Sequence, residues 1–221
     1  MFILNPRIEG VSRELKEQFK NVCPSTIGHM TDFGFIKDLE PIFRPINFVG
    51  NAVTVRIPHL DSTAVHKVLD IVEPGDVICI DMSGDTDRSC WGEMVSYMAR
   101  AKGVAGAVID GKVTDFRALQ DIHVPIFGRG VSPLTTRILG IEGAINVPIS
   151  VAGVAIHPGD LVIADDDGVL VIDPAIAKEL GTRAIAAQYS EIETKRKIDE
   201  GGSLASMSGA ANFFNVNGDN S

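Results

Sequence analysis

The chain has 221 residues, 45% of them hydrophobic, and a net charge of −9 from 29 acidic and 20 basic side chains, the balance of a soluble globular protein. The acidic excess argues against nucleic acid as a partner, because its one basic run, Lys195-Arg196-Lys197, is flanked by Glu191, Glu193, Asp199 and Glu200 and reads as a solvated helix face. Three cysteines without CxxC spacing argue against a disulfide framework or thiolate zinc site, and no apolar run approaches the roughly 20 residues that span a bilayer. MFILNPRIEG lacks a signal-peptide pattern, so a cytoplasmic location and no membrane partner are expected.

In chain order, ELKEQFKNV places Leu15, Phe19 and Val22 at helical spacing, with Pro24-Ser25 expected to stop the helix before an irregular loop to about Ile36. Strands are expected at Ile46–Ile57, Asp76–Asp81, Gly106–Ile109, Pro125–Phe127, Ala144–Val154, Leu161–Ala164 and Val169–Ile172. Helical patterns separate the early ones: STAVHKVLDIV, running towards Pro74-Gly75, then WGEMVSYMARAKG with glycine at its end, then DFRALQDI with Asp115 at the N-cap position. Alternation of strand and helix predicts parallel pairing with right-handed crossovers, whereas LVIADDDGVLVI predicts a hairpin with Asp166, Asp167 and Gly168 at its tip. From Pro174 one or two long helices run to Gly201-Gly202. The chain thus reads as a single α/β domain over residues 1–205, with a flexible tail over 206–221 whose Phe213-Phe214 could dock on a neighbouring subunit. EPGDVICID (73–81) and HPGDLVIAD (157–165) are a weak internal echo, read as two copies of a common turn into a strand.

The segment GVAGAVIDGKVTD (103–115) carries the densest chemical signal. A buried strand empties into Asp110-Gly111 and then presents Asp115, and a rigid sheet fixes whatever lies past its strand ends. Two readings stay open: the two carboxylates face one pocket and hold a hard divalent cation, or Asp110-Gly111 is a plain turn and Asp115 a helix cap. Glu93 falls at a helix start, where N–H groups and the helix dipole favour anions, and there it is a pocket carboxylate or a first-turn helix stabiliser. Arg117 and Arg129 are candidate clamps for a substrate carboxylate, or surface side chains. The five histidines have neither HxH nor HxxxH spacing; His29 lies in a glycine-bounded loop and is read as structural before functional. No GxSxG elbow, P-loop or GxGxxG is present.

Taken together, FVGNAVTV (48–55), PGDVICID (74–81), WGEMV (91–95), GVAGAVIDGKVTD (103–115), PIFGRGVSP (125–133) and PGDLVIADDDGVLVI (158–172) resemble, in order, the RraA-like family. That family includes class II 4-hydroxy-4-methyl-2-oxoglutarate aldolases, which also decarboxylate oxaloacetate, and an inhibitor of ribonuclease E. Members are also labelled demethylmenaquinone methyltransferases, for which no glycine-rich nucleotide motif is seen. The resemblance implies a swivelling α/β/β/α sandwich, assembled as a trimer or dimer of trimers with sites between subunits. It also implies Mg²⁺ or Mn²⁺ bound by Asp115, by Glu93 through a water, and by a glutamate from the neighbour's C-terminal helix through a water, Glu191 by spacing with Glu193 close behind. Met94, Val95, Thr114, Arg117 and Arg129 are the expected substrate contacts, and Glu93, Asp115 and Arg117 the expected catalytic groups.

One position departs from the family motif: where an arginine precedes the metal-binding aspartate, this chain has Thr114. Threonine offers one neutral hydrogen bond in place of a charge-assisted bidentate contact about twice as strong. Lys112, Arg117 or Arg129 then supplies the cation, or the substrate differs, or the activity is lost. The expected function is a metal-dependent lyase releasing pyruvate from a small 2-oxo acid. The alternatives are a non-catalytic oligomer that regulates a partner protein, and a metal-binding isomerase or hydratase acting on a sugar acid.

Overall fold

A computed structural model describes residues 1–214. The N-terminal part comprises β1 (Phe2–Leu4), α1 (Arg13–Phe19), α2 (Pro24–Gly28), β2 (Phe35–Ile36), β3 (Glu40–Pro41) and β4 (Phe48–Arg56). The central part alternates: α3 (Thr63–Val68), β5 (Asp76–Asp81), β6 (Ser89–Trp91), α4 (Glu93–Ala101), β7 (Gly106–Ile109), β8 (Lys112–Val113), α5 (Phe116–Ile122) and β9 (Ile126–Gly128). Then follow β10 (Gly143–Ile145), β11 (Ile149–Val151), β12 (Val154–Ile156), β13 (Leu161–Asp165), β14 (Gly168–Ile172), α6 (Pro174–Asp199) and α7 (Leu204–Met207).

The main sheet runs β2-β14-β13-β4-β5-β7-β9-β3, with β10 joining β4 and β1 joining β10. As the alternation of elements requires, β4, β5, β7 and β9 pair in parallel, while β13 pairs antiparallel with both β4 and β14. Period-two alternation sorts each strand between two faces. Val53, Val55, Ile78, Ile80, Ala107 and Ile109 pack against α3, α4 and α5. Their neighbours Ala52, Val77, Cys79 and Val108 meet Ile149, Val151 and Ile156 of the β11–β12 hairpin, a second β layer. Leu161, Ile163, Leu170 and Ile172 are covered by α1, α2 and α6. The long helix approaches closely because Gly181 faces Phe19, where a Cβ would sit 2.8 Å from the buried ring. The mixed α/β class stands.

Several boundaries differ from expectation. Pro24 opens α2 instead of ending the helical region, because proline at a first helical position loses no hydrogen bond. Ala144–Val154 spans β10, β11 and the first residue of β12, broken by Pro148 and by Asn146 and Ala152, both at positive φ. The helix expected towards Pro74 ends at Val68 and continues as tight turns to Val72. The hairpin tip is Asp166-Asp167, with Gly168 already paired to Asp165. The run after Gly202 starts with α7 and a 3₁₀ turn, Ala210–Phe213, with Phe213 and Phe214 exposed; residues 215–221 of the expected tail lie outside the described residues.

Candidate active site

The short parallel pair β6–β8, too brief to register as periodicity, builds the site. It lays Trp91-Gly92 beside Thr114-Asp115, with the Thr114 N–H donating to the Trp91 carbonyl at 2.9 Å. Asp115 holds a left-handed backbone (φ 58°, ψ 40°), which aspartate tolerates better than most residues. It occupies the N-cap position of α5, as expected, but its side chain does not cap that helix. Instead Oδ2 accepts the Glu93 N–H at 2.9 Å and so caps α4 from across the cleft, while Oδ1 accepts the Thr114 hydroxyl at 3.3 Å. Only glycine permits this approach: a Cβ on Gly92 would lie 2.5 Å from Oδ2.

The result is a cleft of about 180 Å³ that brings together Glu93, Met94, Val95, Thr114 and Asp115. Glu93 and Asp115 are exposed carboxylates at one helix N-terminus, where the N–H groups of Met94 and Val95 have no carbonyl a turn behind them to meet. Ser62, His66, Ser89, Thr135 and Thr136 complete the lining and were missed in the sequence. Their segments meet at the isolated bridges Asp61–Arg137 and Ser89–Thr135, which leave no local signal. Buried Asp61 secures that loop, accepting from the N–H groups of Thr63, Leu139, Ile141 and Glu142 and from the Thr63 hydroxyl. Cys90 also borders the cleft, but burial pushes its thiol up to about 12, so it stays protonated.

Other expected residues lie elsewhere. Asp110 does not share a pocket with Asp115: Oδ1 accepts from Arg129 Nε at 2.6 Å and Oδ2 from the Ala152 N–H at 2.8 Å. Asp110 and Arg129 thus tie strand ends to the β11–β12 turn, and neither lines the cleft. Lys112 sits 3.7 Å from Asp87, and Arg117 is exposed on α5. Glu193 is held by Arg196 and Lys197 on its own helix. Glu191 lines a separate groove of about 590 Å³ between α2 and α6, together with Cys23 and His29.

A family model described as RraA-like, Aldolase/RraA, matches residues 21–171. The chain belongs to the RraA-like family. A relative from Halalkalibacterium halodurans, provisionally named a 4-hydroxy-4-methyl-2-oxoglutarate aldolase, is 37% identical over 83% of this chain and 88% of its own length. A Burkholderia mallei protein with the same provisional name is 33% identical over 65% and 88%. Among solved structures, Streptomyces coelicolor RraAS2, described as an unusual member of the RNase ES inhibitor RraA protein family, superposes with a TM-score of 0.77 at 28% identity, covering 85% of this chain and 98% of that one.

Among the described residues of this RraA-like chain, no lysine or arginine lines the cleft. Among the described residues no group of three or more His, Cys, Asp or Glu side chains gathers to hold a metal. Two exposed carboxylates are nonetheless the donor set of a largely hydrated hard cation, since Mg²⁺ keeps several waters and takes one or two carboxylates. The residues present fit Mg²⁺ or Mn²⁺ and do not fit zinc, which wants a closed nitrogen and sulfur shell. No helix among the described residues is long and apolar enough to cross a membrane.

Proposed function

We propose that this protein is a divalent-metal-dependent lyase that cleaves or decarboxylates a small 2-oxo acid to give pyruvate. The carrying observation is the Asp115 carboxylate, held in a left-handed turn against the first turn of α4 beside Glu93. The provisional aldolase names of the relatives support the same reaction class. In this reading Asp115, and Glu93 through water, would hold Mg²⁺ or Mn²⁺. Bound there, the cation would supply positive charge where the 2-oxo oxygen becomes negative. The Met94 and Val95 N–H groups receive the substrate carboxylate, as unpaired donors at a helix N-terminus do. Thr114 supports Asp115 through its hydroxyl, and Arg117 is the remaining candidate cation. Glu191 of a second copy would complete the site through a water in a trimer or hexamer.

The test is pyruvate release from oxaloacetate and several 4-hydroxy-2-oxo acids, with Mg²⁺, Mn²⁺ or EDTA. Asp115→Asn is the better probe than alanine, because asparagine keeps the left-handed backbone while removing the charge. Metal-dependent turnover falling tenfold or more in Asp115→Asn supports the lyase; no turnover of any substrate by folded protein refutes it. A second reading, a non-catalytic oligomer that regulates a partner protein, is favoured by the lack of a lysine or arginine in the cleft among the described residues. It predicts the refuting result together with retained assembly.

A further inference from the structure

The cleft is walled by five hydroxyl side chains, Ser62, Ser89, Thr114, Thr135 and Thr136. Three of their protons point back to main-chain carbonyls and a fourth is held by Asp115 within the cleft. Ser62 donates to the Arg137 carbonyl at 3.2 Å, Ser89 to Leu134 at 3.3 Å, Thr136 to Ser89 at 3.3 Å, and Thr114 to the Asp115 carboxylate at 3.3 Å. A hydroxyl whose proton is spent offers only lone pairs to whatever enters. The donors left to face the cleft are the main-chain N–H groups of Met94 and Val95 on α4, the His66 ring and the Thr135 hydroxyl.

This division of donors and acceptors discriminates between substrates. One carboxylate is accommodated at α4. A second would face mainly hydroxyl lone pairs and, among the described residues, no lysine or arginine, and a desolvated charge without a partner is costly. Substrate hydroxyls bring donors to the lone pairs of Ser62, Ser89 and Thr136, and a site built to hydrogen-bond such a group rejects analogues without it.

Resting on the lyase reading, we infer that the substrate is a short 2-oxo acid with a single carboxylate and hydroxyls on C4 and C5, rather than a 2-oxo dicarboxylate. The reaction balances without a further reactant. The C4 hydroxyl loses its proton, the C3–C4 bond breaks with its electron pair passing to C3, and C3 takes up a proton. The products are pyruvate and a hydroxyaldehyde.

The experiment compares kcat/KM for 4,5-dihydroxy-2-oxopentanoate, both C4 epimers present, with oxaloacetate and 4-hydroxy-4-methyl-2-oxoglutarate, using wild type with Mg²⁺ or Mn²⁺. The expected result is a preference of at least tenfold for the dihydroxy acid. Its KM should rise several-fold in Thr135→Val or Thr136→Val, and Thr114→Arg should move the preference back towards the dicarboxylates. A wild type that prefers either dicarboxylate overturns this inference and leaves the lyase reading intact. Valine variants with unaltered KM also overturn it, and no pyruvate from any of the three by folded protein overturns both.

Discussion

Gly92→Ala isolates the contact on which the site depends. Gly92 has an extended backbone (φ −146°, ψ −159°), so alanine meets no conformational penalty and its effect is steric. The new Cβ would start 2.5 Å from Asp115 Oδ2 and 2.8 Å from Thr114 Cγ2. Ordinary contact needs the carboxylate to retreat by roughly 1 Å, which breaks its 2.9 Å bond to the Glu93 N–H. Losing a helix cap costs about 1 kcal/mol, and at this chain length that lowers Tm by about 2–4 °C. The same displacement of a group that must meet substrate or cation costs roughly 100-fold in turnover. Differential scanning calorimetry and the pyruvate assay on one preparation read both quantities. A variant with wild-type Tm and wild-type kcat/KM would refute the claim that Asp115 works from its position against α4.

Two further outcomes follow from buried groups. Asp61 is fully buried; burial raises its pKa, but hydrogen bonds from Thr63, Ile141 and Leu139 outweigh this and hold the carboxyl well below the ordinary 3.8. A depressed folded pKa contributes stability above the unfolded value that is lost as pH falls below it. Wild-type Tm should therefore drop steeply below about pH 4, whereas Asp61→Asn should be less stable by about 2 kcal/mol at neutral pH and should lack that acid dependence; parallel Tm–pH curves would contradict the role of the charge. Cys79 and Cys90 are buried and their thiols are pushed up by burial, whereas Cys23 is exposed. Titration with an aromatic disulfide at pH 8 should find one thiol in the native protein and three after denaturation, and rapid labelling of Cys90 would show the cleft opening.

Much of the frame was legible because it rests on local rules. The stretches Val77–Ile80 and Gly106–Ile109 carry no polar side chain, and the structure has strands at Asp76–Asp81 and Gly106–Ile109 as expected. The Asp173-Pro174 start and Gly201 stop bracket α6. Glu93, Met94, Val95, Thr114 and Asp115 were placed together on resemblance, and the structure does gather them in one cleft. What escaped was set by long-range geometry. The β6–β8 pair has too few residues for any period to show, and Ser62, Thr135 and Thr136 reach the cleft only because separate loops meet at isolated bridges. Arg129 looked like a free cation; its partner Asp110 is 19 residues away, and only the adjacency of β7 and β9 makes the ion pair.

By itself the sequence determined the α/β class, the parallel centre, the antiparallel end and the residues at the start of α4, since hydrophobic period, glycine and proline act over a few neighbours. Tertiary structure alone decided that Asp115 caps a helix other than its own, that Asp110 is spent on Arg129, and that the cleft offers hydroxyl oxygens where a cation was expected. The reason is that a side chain's partners are chosen by which segments the sheet and its loops bring together. That choice carries no signature in the residues on either side.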